Sequence, residues 1–424
     1  MKQILMLLLL LPCVSATLYD RDSLQLNLTL SAEIDIDGSP KELRAFLYDI
    51  PRATSTQAIN AQTSTPGTIG NQSVEFVWTS PRNKVRYSLS SSIKTKFDIP
   101  KVKPSQLRVS TDHQELTQPS KHIDSDNLLI KAKAKEIVGD EQDTMVALFK
   151  LGTWVEENIQ YDLSSLTEQV TQSSSWALEH KTGVCDEITS LFIAFARSMG
   201  IPARYVSGIS YTELEEFGTN WLRHGWAEVY VDGKWVPFDI VYGQMGYVDV
   251  THLKLSDALD SKHTSQAFFL EGDGNFVSKP LIINVTVTDE GKPLVPVLTM
   301  EPSIDTAHPT TLSVALENEQ DYYIITTLYL AVPPEVGIEK DTIHVLMRPK
   351  EKKTISFEII IPEQKKGSLQ TFQADIYNER NEKKSILLTP SDESSVPRVQ
   401  TNEETSVLSN LWTFVKRFFA SLVG

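Results

Sequence analysis

The sequence predicts a multidomain α+β protein, with a mixed helix–strand core flanked by a β-rich N-terminal domain and a C-terminal β-sandwich. Three observations carry this. Residues 24–30 alternate apolar and polar with period two. Apolar residues in 130–159 and 186–199 recur at helical spacing. From 281 to 376, short strand-like runs recur between turn-formers. At 424 residues the chain is also too long for one ordinary core.

In the N-terminal domain, placed at 17–115, Leu24, Leu26, Leu28 and Leu30 mark a half-buried strand, and 74–79 and 85–91 continue the pattern. The stretch from Thr63 to Gln72, rich in Thr, Gly, Asn and Gln, reads as a loop. The core, placed at 125–275, opens with helices over 130–138 and 144–159. The third domain, placed at 280–390, carries strands at 281–287, 311–316, 323–330, 354–361 and 371–376. That spacing suits an immunoglobulin-like sandwich, although the Cys…Trp…Cys signature is missing.

The two ends read differently. Met1-Lys2, the apolar run Ile4–Leu11 and the small residues Val14-Ser15-Ala16 predict a signal peptide over 1–16. The expected location is therefore outside the cell or on its surface. Eight apolar residues are too few to span a bilayer, and Pro12 argues against lipidation of Cys13. Residues 391–406 are a polar, acidic linker. Residues 407–424 form an amphipathic helix, with Leu408, Leu411, Trp412, Val415, Phe418, Phe419 and Leu422 opposite Ser409, Asn410, Thr413, Lys416 and Arg417. Each of the two charges would cost roughly 2.5–3.5 kcal/mol at a bilayer centre, so the helix is a poor span. Its expected contact is a membrane surface or a partner protein, with docking on its own chain or a second copy as the alternative.

Net charge is −15, which argues against nucleic acid. Loss of the signal peptide would remove Cys13 and leave Cys185 as the single cysteine, with no internal disulfide. One cysteine and scattered histidines offer no paired ligand spacing, so neither a metal nor another cofactor is expected. There is no EF-hand loop, which leaves irregular loop oxygens as the one route to calcium.

A lone cysteine is by default a small buried hydrophobe. Its setting changes that. Ile188, Leu191, Phe192, Phe195 and Met199 form a helical stripe that Gly200 and Pro202 terminate, so Cys185 falls at the helix N-terminus. Backbone N–H groups and the helix dipole there favour a thiolate. Asp186 and Glu187 suit the first turn but partly oppose that anion.

Downstream, 226–231 and 234–238 alternate about Asp232-Gly233, a two-residue hairpin signal. This register puts Ala227, Val229, Val231, Val236 and Phe238 on a core face. His224, Trp226, Glu228, Tyr230, Trp235 and Asp239 share the other. His224 and Asp239 become diagonal neighbours, roughly 7–8 Å apart or somewhat less at Cβ, close enough for their side chains to meet. A carboxylate beside an imidazole fixes its tautomer and stabilises the imidazolium.

The run Thr182-Gly183-Val184-Cys185-Asp186-Glu187, continued by Leu191 to Arg204, resembles the cysteine-helix motif of the transglutaminase-like superfamily. His224-Gly225-Trp226-Ala227-Glu228-Val229-Tyr230 through Gly233 to Asp239 resembles its histidine–aspartate hairpin. Trp154-Val155 and Asn158 to Asp162 resemble its lead-in, so the likeness covers about 130–250. The resemblance implies a papain/transglutaminase-like catalytic core in an exported multidomain member of prokaryotic type. It implies Cys185 as nucleophile, His224 as general base and then acid, and Asp239 as the orienting group. Tyr161 and Trp176 line the site or support the oxyanion, or else simply pack in the core. His113, His122, His180, His252, His263, His308 and His344 fall outside the motif and are expected at the surface or in structural roles.

The expected chemistry is acyl transfer on protein or peptide substrates, as thiol protease, amidase or glutamine crosslinker, with hydrolysis ahead of crosslinking. One alternative is a non-catalytic cell-surface scaffold on the same fold, against which the intact Cys-His-Asp set weighs. Another is a peptide:N-glycanase-like amidase, against which the missing paired-cysteine zinc site weighs. The sequons at Asn27, Asn71 and Asn284 are about as many as composition gives by chance.

Overall fold

Leu24, Leu26, Leu28, Leu30, Ala32, Ile34 and Ile36 are each at most 8% exposed, and they alternate along one strand, Ser23–Leu47. The structure is a computed structural model that describes residues 18–162, 171–214, 218–304, 311–362 and 371–388. The expected signal peptide (1–16), linker (391–406) and C-terminal amphipathic helix (407–424) lie outside the described residues, as does His308. The described residues are predominantly β, with 49% strand against 16% helix.

The 25-residue strand Ser23–Leu47 is the spine of the first sheet. Lys84–Lys96 and Val74–Thr79 pair with it along one edge. Along the other edge run Gln266–Ser278 and Ile282–Glu290, both antiparallel. The spine bends where its register shifts between Pro40 and Glu42. Gly38 sits just before the shift at φ +88°, where a Cβ would lie 2.8 Å from the Cα of Gly274, so this crossing requires glycine on steric grounds.

Two sequence expectations are corrected here. The strands at 266–278 and 282–290 belong to the N-terminal sheet, so boundaries at 275 and 280 cut through it. Alternation identified 281–287 as a strand, but a period-two pattern does not name its partner. The expected loop at 63–72 contains the end of the strand Gln57–Thr65 and the short strand Thr68–Ile69. Its polar, Thr-rich residues lie on a largely exposed edge strand, where little apolar patterning is needed.

The helices all fall between these strands: α1 (Leu128–Val138), α2 (Thr144–Asn158), α3 (Ser174–His180) and α4 (Cys185–Ser198). Asn127, Asp143 and Ser173 cap the first three through their side-chain oxygens. They pack on a five-stranded antiparallel sheet ordered Gln244–Met245, Lys234–Asp239, Trp221–Val231, Ala203–Tyr211 and Leu253–Ala258. Ile188, Leu191, Phe192 and Phe195 of α4 share one core with Ala227, Val229, Val231, Val236 and Phe238. Ile209, Leu253 and Leu255 of the same sheet join the core of the N-terminal sheet instead. The five strands are thus held between helices and the N-terminal sheet.

Two four-stranded antiparallel sheets follow, ordered 299–304, 311–317, 352–360, 337–338 and 342–347, 324–331, 372–378, 383–388, and they enclose one core. This layer docks on the helical core through Tyr323, Ile325 and Leu346. The Tyr323 hydroxyl donates to Asp143, and His344 Nε2 lies 2.6 Å from Glu156 Oε2.

Candidate active site

Cys185 opens α4 behind the extended N-cap Val184. Valine has no side-chain acceptor, so Glu187 does the capping. Its Oε2 accepts the Val184 N–H at 3.2 Å and its Oε1 accepts that of Gln172 at 3.0 Å. Cys185, half-buried as a residue, is the free cysteine among the described residues. Thr189 Oγ1 donates to the Gly225 carbonyl at 3.1 Å. The start of α4 is therefore tied to the residue that follows His224. Burial, with the charges of Asp186, Glu187 and Asp239, pushes the thiol well up, and the Gly225 amide only partly offsets this. Asp186 Oδ1 lies 3.8 Å from the sulfur and accepts the Tyr205 hydroxyl at 2.5 Å.

The hairpin has the register read from the sequence: Lys234 pairs with Val231 and Phe238 with Ala227. Asp232 and Gly233 take φ of 50° and 72°, positive at both turn positions as a type I′ turn demands. His224 Nε2 lies 2.6 Å from Asp239 Oδ2. Asp239 is fully buried, and its Oδ1 accepts the Tyr242 N–H at 3.2 Å. Burial disfavours its charge, but His224 and His252 outweigh that and hold the carboxyl well below the usual range. Since Nε2 faces Asp239, Nδ1 is the ring nitrogen turned away from it.

The strand is clamped on the other side of His224 as well. Arg223 Nη2 lies 2.6 Å from Asp49 Oδ2, just beyond the spine strand of the N-terminal sheet. Buried Asp49 also takes Ser207 Oγ at 2.9 Å, Ser256 Oγ at 2.6 Å and His263 Nε2 at 2.9 Å.

His252 is the residue that sequence reasoning missed. The motif does not reach it, yet its Nε2 lies 2.9 Å from Asp239 Oδ2 and its Nδ1 3.2 Å from Asp249 Oδ1. The available signal was Asp249-Val250-Thr251-His252, an Asp–His pair ten residues past the hairpin. Tyr242 was also overlooked; its ring meets His224 edge-on at 4.9 Å. Tyr161 packs against the helical core, where burial, with the charges of Cys185, Tyr242, Asp186 and Asp239, pushes its phenol up. Trp176 stacks on His180 at 4.3 Å and packs against the core.

His224, Asp239 and His252 bring ligand-type atoms within 4.8 Å of one another. Tetrahedral zinc, with bonds of about 2.0–2.1 Å, holds its ligands roughly 3.3 Å apart. The 2.6 and 2.9 Å separations here are hydrogen-bond distances, so the cluster shares protons.

Residues 131–240 match the family described as the transglutaminase-like superfamily, core domain. Among curated relatives, an uncharacterized protein of Haemophilus influenzae is 26% identical over 213 residues, 43% of this chain and 56% of that one. YebA of Bacillus subtilis, also uncharacterized, is 36% identical over 93 residues, 20% of this chain and 12% of that one. This chain therefore spans about half the length of the first and a small part of the second. A solved cysteine-protease candidate from Cytophaga hutchinsonii aligns with TM-score 0.49 and 18% identity, over 65% of this chain and 94% of that one. The periplasmic domain of TgpA from Pseudomonas aeruginosa aligns with TM-score 0.29 and 16% identity, over 53% and 90%. The family match thus runs from the second turn of α1 through the hairpin's Asp239, and over that segment the chain is similar to the transglutaminase-like superfamily.

Proposed function

We propose that the chain is a cysteine-dependent acyl-transfer enzyme acting on protein or peptide substrates outside the cell, with Cys185, His224 and Asp239 as its triad. The observation that carries this is the buried 2.6 Å His224–Asp239 bond, on a strand that Thr189 of the cysteine helix holds through the Gly225 carbonyl at 3.1 Å. His224 Nδ1 takes the thiol proton, and the thiolate attacks the substrate carbonyl carbon. The N–H groups opening α4 are suited to the developing oxyanion. The C–N bond breaks as His224 returns the proton to the departing amine, leaving a thioester. Water or a lysine amine then attacks, His224 takes its proton, and the C–S bond breaks to restore the cysteine. Hydrolysis is the favoured outcome and crosslinking the other.

The acidic groups around the sulfur oppose a free-standing thiolate. The anion therefore needs the His224 imidazolium as its counter-charge. The same acidity favours the rival reading, an idle thiol in a binding scaffold. Mass spectrometry of iodoacetamide-treated protein across pH, against His224→Ala, separates the two. Fast labelling of Cys185 well below pH 8 that the variant abolishes supports the enzyme, and slow labelling that the variant leaves unchanged overturns it. Cleavage of an unfolded protein, compared with incorporation of a fluorescent primary amine, then distinguishes hydrolase from crosslinker.

A further inference from the structure

Both ring nitrogens of His252 face carboxylates inside the protein: Nε2 the Oδ2 of Asp239 at 2.9 Å, and Nδ1 the Oδ1 of Asp249 at 3.2 Å. Its side chain is fully buried, as is that of Asp239, while that of Asp249 is nearly so. A neutral imidazole donates from one nitrogen only, so two ionised acceptors require a proton on each. We propose that His252 is a positioning residue of the candidate triad, a buried imidazolium that bridges Asp239 and Asp249 and holds Asp239 ionised and aimed at His224. This rests on the acyl-transfer reading above and adds a fourth group to it.

The surroundings support the charge. Burial acts against it, but Asp249 and Asp239 outweigh burial and push the imidazole up to about 10. The titratable groups packed on His252 are Asp239 from the hairpin strand, Asp249 from its own loop, and the rings of His224 and Tyr242. Trp226 meets it edge-on at 5.2 Å. Asp249 is itself fixed by Gln244 Nε2 at 2.6 Å and by the N–H and hydroxyl of Thr251 at 2.7 and 2.5 Å. The chain Asp249–His252–Asp239–His224 is thus hydrogen-bonded at every link.

The electrostatic role follows. Asp239 and Asp249 alone would place two negative charges behind His224, beside a thiol that Asp186 and Glu187 already push up. With His252 charged, the three groups carry one net negative charge. That leaves enough to stabilise the imidazolium of His224 with less opposition to the thiolate. Asp239 Oδ2 also accepts from two histidines at once, which limits its rotation.

The test is His252→Gln, which keeps a donor of similar reach and removes the charge. The pH at which Cys185 alkylates at half its maximal rate should rise by about one unit or more. Turnover should fall about tenfold or more while KM changes little, since substrate does not touch His252. A labelling profile that stays at the wild-type midpoint while the melting temperature falls would make His252 a structural brace and overturn the proposal. Should that variant not fold, nitrogen NMR of histidine-labelled wild-type protein decides. Both His252 ring nitrogens protonated through pH 8 is the expected result, and a neutral ring at pH 7 overturns it. If wild-type labelling is independent of His224, the acyl-transfer reading falls and the positioning role with it. A wild type that passes that check while His252→Gln leaves the profile unmoved sinks the His252 proposal alone.

Discussion

A Cβ on Gly225 would lie 1.8 Å from the Tyr205 hydroxyl. No rotamer of a methyl group resolves such an overlap, so either the ring or the strand has to move. The Tyr205 hydroxyl is bonded to Asp186 beside Cys185, and Gly225 directly follows His224. Gly225→Ala should therefore separate the two halves of the site. Overpacking of this kind costs typically about 1–3 kcal/mol. We expect a melting temperature lowered accordingly and pH-dependent Cys185 labelling lost, with an unchanged labelling profile in Gly225→Ala contradicting this.

Asp49 should govern part of the acid stability. Burial disfavours its charge, but His263, Ser256 and Arg223 hold its carboxyl at about 2, below the ordinary 3.8. The stabilisation is thus complete above the unfolded value and lost as pH falls from about 4 toward 2, a term of about 2 kcal/mol. His263, raised above its ordinary 6.5 chiefly by its hydrogen bond to Asp49, contributes in the opposite sense. Its share is present below 6.5 and fades as pH rises through the raised value. Denaturant unfolding should show Asp49→Asn least stable relative to wild type between about pH 4 and 6.5, by about 3–5 kcal/mol, with the gap narrowing on both sides. A gap independent of pH would contradict this.

Phe192 and Phe238 stack at 5.0 Å and join α4 to the hairpin. Both are fully buried. Phe192→Ala should cost about 3–5 kcal/mol. Because this contact fixes the cysteine helix against the strand pair bearing His224 and Asp239, the folded variant should also label Cys185 more slowly at neutral pH. An equally stable variant at Val77, which is exposed, serves as the control.

A fragment ending at residue 265 should fail to fold as a unit. It would leave bare the spine edge that Gln266–Ser278 and Ile282–Glu290 cover. An unpaired edge of that length invites association between chains. Light scattering of fragments ending at 265 and at 296 should show aggregation of the first and not of the second.

Much of the site was legible because its information is local. The stripe from Ile188 to Met199 sets the start of α4, and Asp232-Gly233 sets the register that brings His224 to Asp239. What was not legible depended on contacts between distant segments. His252 reaches Asp239 only because the loop after the hairpin folds back over it, and no periodicity encodes that return. Asp49 lies far along the chain from Arg223 and His263, and nothing around it marks it as a buried anion. The strand at 282–290 could be seen as a strand, but only the fold shows that it pairs with Leu24–Ser31.

That last pairing sets an order on synthesis. Leu47 pairs with Gln266, roughly 220 residues later. At about 5–20 residues per second, the spine strand emerges on the order of ten to forty seconds before its second edge can close. During that interval the helical core, whose contacts are closer in sequence, is free to form first. The last strands of the N-terminal sheet then arrive on a core already in place. The sheet named for the start of the chain is completed about two thirds of the way along it, and its closure comes after the strand that carries His224.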